Sequence, residues 1–405
     1  MVFKQNNNYH NFIESELAKL AKNNLYRRLK LISFEKGRSG GTTTATVDGK
    51  ENIINLCSND YLGLSHNHKV LRRTNLSLKQ ISQCSSRLIA GNDPKLIELE
   101  EQLAEHRATE SSLVYPTGYM ANLGVITTLA DKFTTIISDE LNHASIIDGC
   151  RLSGAKIKVF RHNDMEHLEQ SIKSMPSTRK KILVTEGVFS MDGDISNLQQ
   201  ICNLAKEHNA ITVIDDAHGD FIFGGSSASS RFSGIPSYLG VNNDIEVHTG
   251  SLSKGLGCFG GYIASTRQTR ELLINKSRQF IYTSALPKHL CVSALAAYPV
   301  ATKGNLQKKL FDNAEFVFRK LSQCGFKLKD GRSQIIPVII GQEKRALEFS
   351  NQLLDNGIFV QAVRFPTVKK GSARLRISLT ALNTKNQLRS AIDTFKMVGK
   401  RLDVI

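Results

Sequence analysis

The sequence predicts an α/β fold: a large unit built on a mostly parallel sheet, followed by a smaller α+β unit. Three observations carry the prediction. From about residue 95 to 290, short β-branched runs alternate with helical patterns, as parallel strands joined by helical crossovers require. After about residue 300 the alternation gives way to a helix, three strands and a final helix. Acids, histidines and a lysine follow the ends of the central runs, where open α/β sheets bind their ligands.

In chain order, residues 11–34 read as an amphipathic helix, with Phe12, Ile13, Leu17, Leu20, Leu25 and Leu29 set among charges. Residues 37–41 read as a turn into an extended segment, and 53–56 as a short strand. Strand-like runs follow at 135–138, 157–160, 182–185, 211–214, 245–249 and 262–264, with a helix at 198–208 among the connections. A helix over 305–323, strands at 335–340, 358–363 and 374–379, and a helix over 385–401 complete the chain. The expected division is 1–60 for an N-terminal helix and extended segment, 61–295 for the large unit and 296–405 for the small one.

Composition excludes several classes. The 405 residues are 40% hydrophobic and 22% charged, ordinary for a globular protein. No apolar run is long enough to cross a bilayer, and the Asn-rich stretch 1–10 has no apolar centre like that of a secretory signal. Seven scattered cysteines with no C-x-x-C argue against a disulfide framework or a zinc ribbon, read mostly as small buried residues, and fit a reducing, cytoplasmic location. The net charge of +16 is large, but the lysines and arginines are spread along the chain. The densest cluster is Arg27-Arg28-Leu29-Lys30, and no nucleic-acid motif is present. Two readings of that charge stand: a solvated surface, or attraction to a polyanionic acyl carrier such as coenzyme A or an acidic carrier protein.

Lys254 and Asp215 carry the chemistry. Val247-His248-Thr249-Gly250-Ser251-Leu252-Ser253-Lys254-Gly255 runs from a strand through a hydroxyl-rich turn to a lysine between Ser253 and Gly255. Ile211-Thr212-Val213-Ile214-Asp215-Asp216-Ala217-His218 ends another strand in acids and a histidine. A P-loop would need a different glycine spacing around the lysine. Asp215 and Asp216 with His218 resemble a metal-ligand cluster, but a metal would want further carboxylates or histidines nearby, and Lys254 after the next strand tips the reading to a pyridinium partner, so no metal is expected. A strand-end carboxylate with a lysine on the next loop is what pyridoxal phosphate needs. The lysine forms the Schiff base and the carboxylate keeps the pyridine nitrogen protonated, with His218 at the ring hydroxyl. His143, after the run 135–138, is a structural histidine or one that stacks on a flat ring. Pro116-Thr117-Gly118-Tyr119-Met120-Ala121-Asn122 opens a helix whose amides bind a phosphate or are simply capped, and Ser251 and Ser253 could add hydroxyls to the same phosphate.

Taken in order, Asn59-Asp60-Tyr61-Leu62-Gly63-Leu64, Ser86-Arg87-Leu88-Ile89-Ala90-Gly91, Asn142-His143-Ala144-Ser145-Ile146, His162-Asn163-Asp164, Thr185-Glu186-Gly187-Val188-Phe189-Ser190-Met191-Asp192-Gly193-Asp194, Asp215-Asp216-Ala217-His218-Gly219 and Ser253-Lys254 resemble the α-oxoamine synthases, a branch of the fold-type I pyridoxal phosphate transferases. The resemblance runs from about residue 10 to 400. It implies a homodimer that condenses an amino acid with an acyl thioester and releases carbon dioxide.

By the same resemblance Lys254 holds the cofactor and moves the Cα proton, His143 stacks on the ring, and Asp215 and His218 contact its nitrogen and hydroxyl. Gly118, Tyr119 and Ser251 hold the phosphate, Ser190 touches the ring and Glu186 supports it. Thr283 reaches the phosphate of the neighbouring subunit. Arg376, with Asn59 nearby, binds the substrate carboxylate; Arg374 shares its face and is the alternative. Arg364 is a second carboxylate contact.

Ser86 to Gly91, Thr185 to Asp194 and Arg364-Phe365-Pro366-Thr367-Val368 are most similar to the 8-amino-7-oxononanoate synthases of biotin synthesis. Those enzymes join L-alanine to a pimeloyl thioester, on coenzyme A or a carrier protein. Glycine-using relatives, the 2-amino-3-ketobutyrate ligases and 5-aminolevulinate synthases, are the alternative, and serine palmitoyltransferases resemble the segments less. Three departures from the family pattern, at Gln83-Cys84-Ser85, at Leu96 or Ile97 and at Asp220, are expected around the acyl entrance. Two rival classes stand beside this reading: a basic binding protein that keeps the fold without catalysis, and an aminotransferase.

Overall fold

A computed structural model of the protein describes residues 7–34, 43–176, 179–224, 232–329 and 333–405. The turn expected at residues 37–41 lies outside the described residues.

Three sheets organise the chain. Strands β1 (Ile32–Phe34), β2 (Thr44–Val47) and β3 (Lys50–Asn55) open it. The central sheet takes β4 (Ser111–Tyr115), β5 (Thr134–Asp139), β6 (Lys156–Phe160), β7 (Lys180–Glu186), β8 (Ala210–Asp215), β9 (Val247–Ser251) and β10 (Gly261–Ser265). Its order is β4-β10-β9-β8-β7-β5-β6. β9, β8, β7, β5 and β6 pair in parallel, and β10 runs antiparallel to both neighbours. Beyond it, β11 (Ile335–Gly341), β13 (Ala362–Val363) and β14 (Ala373–Ser378) form a small antiparallel sheet, while β12 (Ile358–Phe359) joins β3.

The central strands are apolar on both faces because both faces are covered. Leu183, Ile214 and Tyr262 pack into the cluster that also holds Leu99, Leu103 and Leu252. Their neighbours Ile182, Val213 and Ile263 point the other way, onto Ala121 and Val125 of the helix Gly118–Leu129. Gly261 sits under the start of that helix: a Cβ there would lie 2.3 Å from the Gly118 backbone nitrogen. The glycine is what lets the helix N-terminus sit against the sheet.

The first helix is shorter than its apolar pattern. It spans Asn7–Lys22 and stops at Asn23-Asn24, where Asn24 takes a left-handed φ of 57°. The run 358–363 divides into β12 and β13 because the chain leaves one sheet for another between Phe359 and Ala362. Three of the seven cysteines are buried and Cys84 is exposed, so burial accounts for fewer of them than expected. Among the described residues no helix is long and apolar enough to cross a membrane.

A buried ion network holds the carboxyl edge of the sheet. Arg107, with no exposed surface, ends the helix Pro94–Arg107. Its Nη1 donates to Asp216 Oδ2 at 2.8 Å and to the Ser233 carbonyl at 2.6 Å, and its Nη2 lies 3.1 Å from Asp220 Oδ1. Its Nε donates to Tyr262 Oη at 2.9 Å, which in turn donates to Asp220 Oδ2 at 2.6 Å. Burial would raise the Asp220 carboxyl, but Arg107, His106 and Tyr262 together hold it below its ordinary value. Burial lifts Asp216 to about 7, which Arg107 only partly offsets. Asp220 and Leu96, two of the departures expected at the acyl entrance, are both fully buried in this core. The expectation fails because each position is read by its side-chain partners, and those lie inside.

Removing one partner of a buried, hydrogen-bonded charge set leaves the others unpaired, at a cost of about 3–5 kcal/mol. Arg107→Ala is therefore expected to lower unfolding stability by that amount. A denaturant-midpoint shift worth less than about 1 kcal/mol would remove the network from the account of the fold.

Candidate active site

Strand register assembles the site. Glu186 at the end of β7 is paired with Asp215 at the end of β8, and Asp215 with Thr249 of β9. These three residues therefore stand side by side at the carboxyl edge. They line a cavity of about 200 Å³ together with Thr117, Gly118, Tyr119, Asn122, His143, Ser145, Ala217, His218, Gly250, Ser251, Ser253 and Lys254. Of the residues singled out in the sequence for a cofactor, only Ser190 and Thr283 are outside this lining.

Asp215 faces the cavity and Asp216 turns away into the Arg107 network, so the adjacent acids are not a pair. Asp215 Oδ2 accepts from Asn122 Nδ2 at 2.6 Å, and Oδ1 from the Ala217 amide at 3.0 Å. Asn122 is itself held, accepting from Thr249 Oγ1 at 2.8 Å and donating to Ser145 Oγ at 2.9 Å. Asn122 was missed as a site residue. It stands one helical turn past Gly118 in a segment read only for its phosphate-binding amides, and its contact to Asp215 is made across the fold.

Lys254 is half-buried, and its ammonium has no hydrogen bond or ion pair among the described residues. Desolvation by the cavity walls lowers its pKa; Asp215 and Glu186 oppose that, and Arg376 adds to it. Glu186 is buried, with Oε2 accepting from the Ser190 amide at 3.3 Å and Oε1 without a hydrogen-bond partner among the described residues. Burial and the nearby Asp215 push its carboxyl well above the ordinary value, against the pull of Lys254.

Two histidines flank the lysine. His143 caps the helix Ala144–Leu152, with Nδ1 2.8 Å from Ser145 Oγ and Tyr119 edge-on to its ring. Its outer edge is exposed, yet the surrounding walls lower its pKa by desolvation, with Asp215 opposing and Lys254 reinforcing. His218 is buried, and burial, then Lys254, Arg376 and His143, drive its pKa well below the ordinary value. Both imidazoles are neutral at physiological pH.

At the other end, Thr117 caps the helix Gly118–Leu129 by accepting from the Met120 amide at 3.1 Å. Ser251 Oγ and Ser253 Oγ lie 2.8 Å apart beside that helix N-terminus. Tyr119 donates its hydroxyl to Asp148 at the cavity rim.

The arginines separate. Arg376 Nε donates to the Ser190 carbonyl at 2.5 Å and Nη1 to Asn59 Oδ1 at 3.3 Å. Arg374, two residues earlier on β14, is ion-paired to Asp192, whose other oxygen is 3.0 Å from Lys329 Nζ. Arg364 is bound to the Asn24 carbonyl of the N-terminal segment. Thr283 follows the short helix Arg278–Ile281, half-exposed.

His162 ties this region down. Its Nδ1 lies 3.0 Å from Asp139 Oδ1 and its Nε2 2.7 Å from Asp194 Oδ2, joining the end of β5 to the loop that carries Ser190 and Asp192. Burial would lower its pKa, but the two carboxylates raise it to about 9.

The residues fit pyridoxal phosphate on their own terms. A lysine without a partner among the described residues, a carboxylate held by two donors, two neutral histidines and a helix N-terminus with two hydroxyls converge on one cavity.

Comparison with known proteins agrees. The aminotransferase class I and II family matches residues 51–395. An 8-amino-7-oxononanoate synthase of Thermoanaerobacter pseudethanolicus is 40% identical over 399 residues, which is 97% of this chain and 98% of that one. The serine palmitoyltransferase of Sphingomonas wittichii superposes with a TM-score of 0.89 at 31% identity, covering 98% of each chain. A serine palmitoyltransferase from S. paucimobilis with a bound PLP–myriocin aldimine superposes with a TM-score of 0.90 at 29% identity, covering 99% of this chain and 100% of that one.

A folded-state His162 pKa above the unfolded value of 6.5 means its charge stabilises the fold fully below that value, and the contribution is lost as pH rises to about 9. Stability of the protein relative to His162→Gln should therefore fall across that window, by at most about 1.4 kcal/mol per pH unit. A difference that grows with rising pH would reverse the assignment.

Proposed function

The chain belongs to the aminotransferase class I and II family and, within it, to the α-oxoamine synthases, and from that premise we propose that it is a pyridoxal phosphate enzyme joining L-alanine to a pimeloyl thioester to give 8-amino-7-oxononanoate. One observation carries the reading: Lys254, Asp215, His143 and His218 converge on a single cavity at the carboxyl edge of the sheet. The choice of substrates rests on the full-length sequence similarity to 8-amino-7-oxononanoate synthases, 40% identical for one of them, while a solved enzyme of that name superposes with a TM-score of 0.74 against 0.89 for a serine palmitoyltransferase.

When bound, the cofactor supplies an electron sink for the pair released at the substrate Cα. The protein's part is positional and electrostatic. Lys254 would hold the cofactor and would be the group that takes the substrate Cα proton, and its lowered pKa leaves more of it neutral for that task. Asp215, oriented by Asn122 and the Ala217 amide, holds the ring nitrogen protonated. His143 would lie against the ring, and His218 would meet its hydroxyl. Gly118, Tyr119, Ser251 and Ser253 receive the phosphate, joined by Thr283 from a neighbouring copy in a homodimer. Glu186 and Ser190 support the ring.

Arg376, with Asn59, takes the substrate carboxylate. Its guanidinium spends its hydrogen bonds on a carbonyl and an amide oxygen rather than on an acid, so it keeps a full charge for a ligand. Arg374 is already neutralised by Asp192. Arg364 is a second carboxylate contact on the N-terminal side.

Purified protein should be yellow or turn so with added pyridoxal phosphate, and borohydride should leave the cofactor on Lys254. Lys254→Ala should lower condensation at least about 10³-fold while the protein stays folded by circular dichroism. Protein that stays colourless, or a variant that retains turnover, would refute the reading. A panel of alanine, glycine and serine against short, dicarboxylic and long acyl thioesters tests the substrates, and preference for another pair would reassign them.

Arg376→Ala should raise the KM for the amino acid about 10- to 100-fold, the loss of charge-assisted hydrogen bonds, with cofactor affinity little changed. Arg374→Ala should instead lower stability by leaving buried Asp192 with the half-exposed Lys329 as its one cationic partner among the described residues. The reverse pattern would move the carboxylate contact to Arg374.

A further inference from the structure

Tyr61 has no role in the reading above, yet it touches the ring of His218. It is fully buried, and its Oη lies 2.6 Å from His218 Nδ1 and 3.2 Å from Asn59 Oδ1. A phenol has one proton, so it donates to one of these and not to both. Asn59 Oδ1 is already supplied by Arg376 Nη1 at 3.3 Å and by Ser378 Oγ at 3.4 Å. His218 Nδ1 has no other hydrogen-bond partner among the described residues, and its contact is the shorter. The backbone holds both rings in place: the Ala381 amide donates to the Tyr61 carbonyl at 2.7 Å, and Gln334 Nε2 to the His218 carbonyl at 2.8 Å.

The two protonation states agree with this geometry. Burial raises the Tyr61 phenol above its ordinary value although Arg376 pulls it down, so the proton is present to be given. Burial and three nearby basic groups keep His218 neutral, so its single ring proton must sit on one nitrogen or the other.

We propose that Tyr61 is a positioning residue that donates to His218 Nδ1 and so holds the imidazole in the Nε2–H form, making the nitrogen left for the cavity a hydrogen-bond donor. A donor at that place suits an anionic oxygen on a ligand. On the functional reading above, on which this part rests, that oxygen is the ring phenolate of pyridoxal phosphate. The opposite form would present a bare nitrogen and repel it.

The test uses ligand-free, full-length protein labelled with ¹⁵N-histidine. Long-range ¹H–¹⁵N spectra report which ring nitrogen carries the proton, and His218→Gln assigns the signal. The expected result near neutral pH is a proton on Nε2 and a bare Nδ1. A proton on Nδ1, or a doubly protonated ring, overturns the proposal without any variant of Tyr61. In Tyr61→Phe the signal should become a mixture of both forms, and an unchanged Nε2–H form overturns it. With cofactor bound, Tyr61→Phe should raise the pH midpoint of the visible absorbance, an about tenfold change in the ionisation constant; no shift counts against it. The ligand-free spectra do not involve the cofactor. Colourless protein would thus remove the functional reading and leave the tautomer result standing.

Discussion

A guanidinium with no access to water holds the working edge of this protein in place. Arg107 binds two carboxylates, a phenol and a backbone carbonyl that come from three separate stretches of chain. Asp216 and Asp220 bracket Ala217 and His218, so fixing the two acids fixes the turn between them. Tyr262 belongs to β10, whose strand lies against β9, and β9 leads into the Lys254 loop. Asp220 also meets that loop from below: a Cβ at Gly255 would lie 2.6 Å from its carbonyl. Burying such charges contributes little net stability. What the network provides is a geometry in which Asp215 can face outward because its neighbour is committed inward.

The electrostatics of the cavity follow from what it lacks. The Lys254 amine shares the space with Asp215, a raised Glu186 and two imidazoles kept neutral by desolvation. Further mobile cations near Lys254 would compete for the same anionic ligand groups. Further ionised acids would hold the lysine charged. Asn122 resolves the remaining demand by giving Asp215 a neutral donor, which orients the carboxylate without discharging it.

Much of this was legible in the sequence, for a definite reason. Strand ends in a parallel sheet are marked by β-branched runs that stop at polar residues, so Asp215, Glu186 and Lys254 could be placed at one edge before any coordinates. The helices 305–323 and 385–401 were equally clear, since their apolar faces repeat with helical period. What sequence did not carry is partnership across the fold. Asn122 and Tyr61 sit inside segments that had been singled out, but their contacts lie 93 and 157 residues away. Asp220 and Leu96 or Ile97 were placed around the acyl entrance from family pattern alone; Asp220 and Leu96 are core, and Ile97 is half-buried. The choice between Arg374 and Arg376 stayed open because alternation puts both on one face; Asp192, distant in sequence, distinguishes them. The helix expected to run to residue 34 ends at Lys22, because a left-handed backbone step at Asn24 outweighs a continuing apolar rhythm.

The pairing of β12 with β3 has a consequence for biosynthesis. Asn59 follows a strand made long before residues 358–359, yet that strand gains its outer neighbour only when they arrive, and Leu56 and Tyr61 are bonded by the amides of Ser378 and Ala381. The Asn59 side of the cavity is therefore closed only by chain from β12 onward. The sheet that bears Asp215 and Lys254 is by then fully synthesised, and until that point it stands with one wall open.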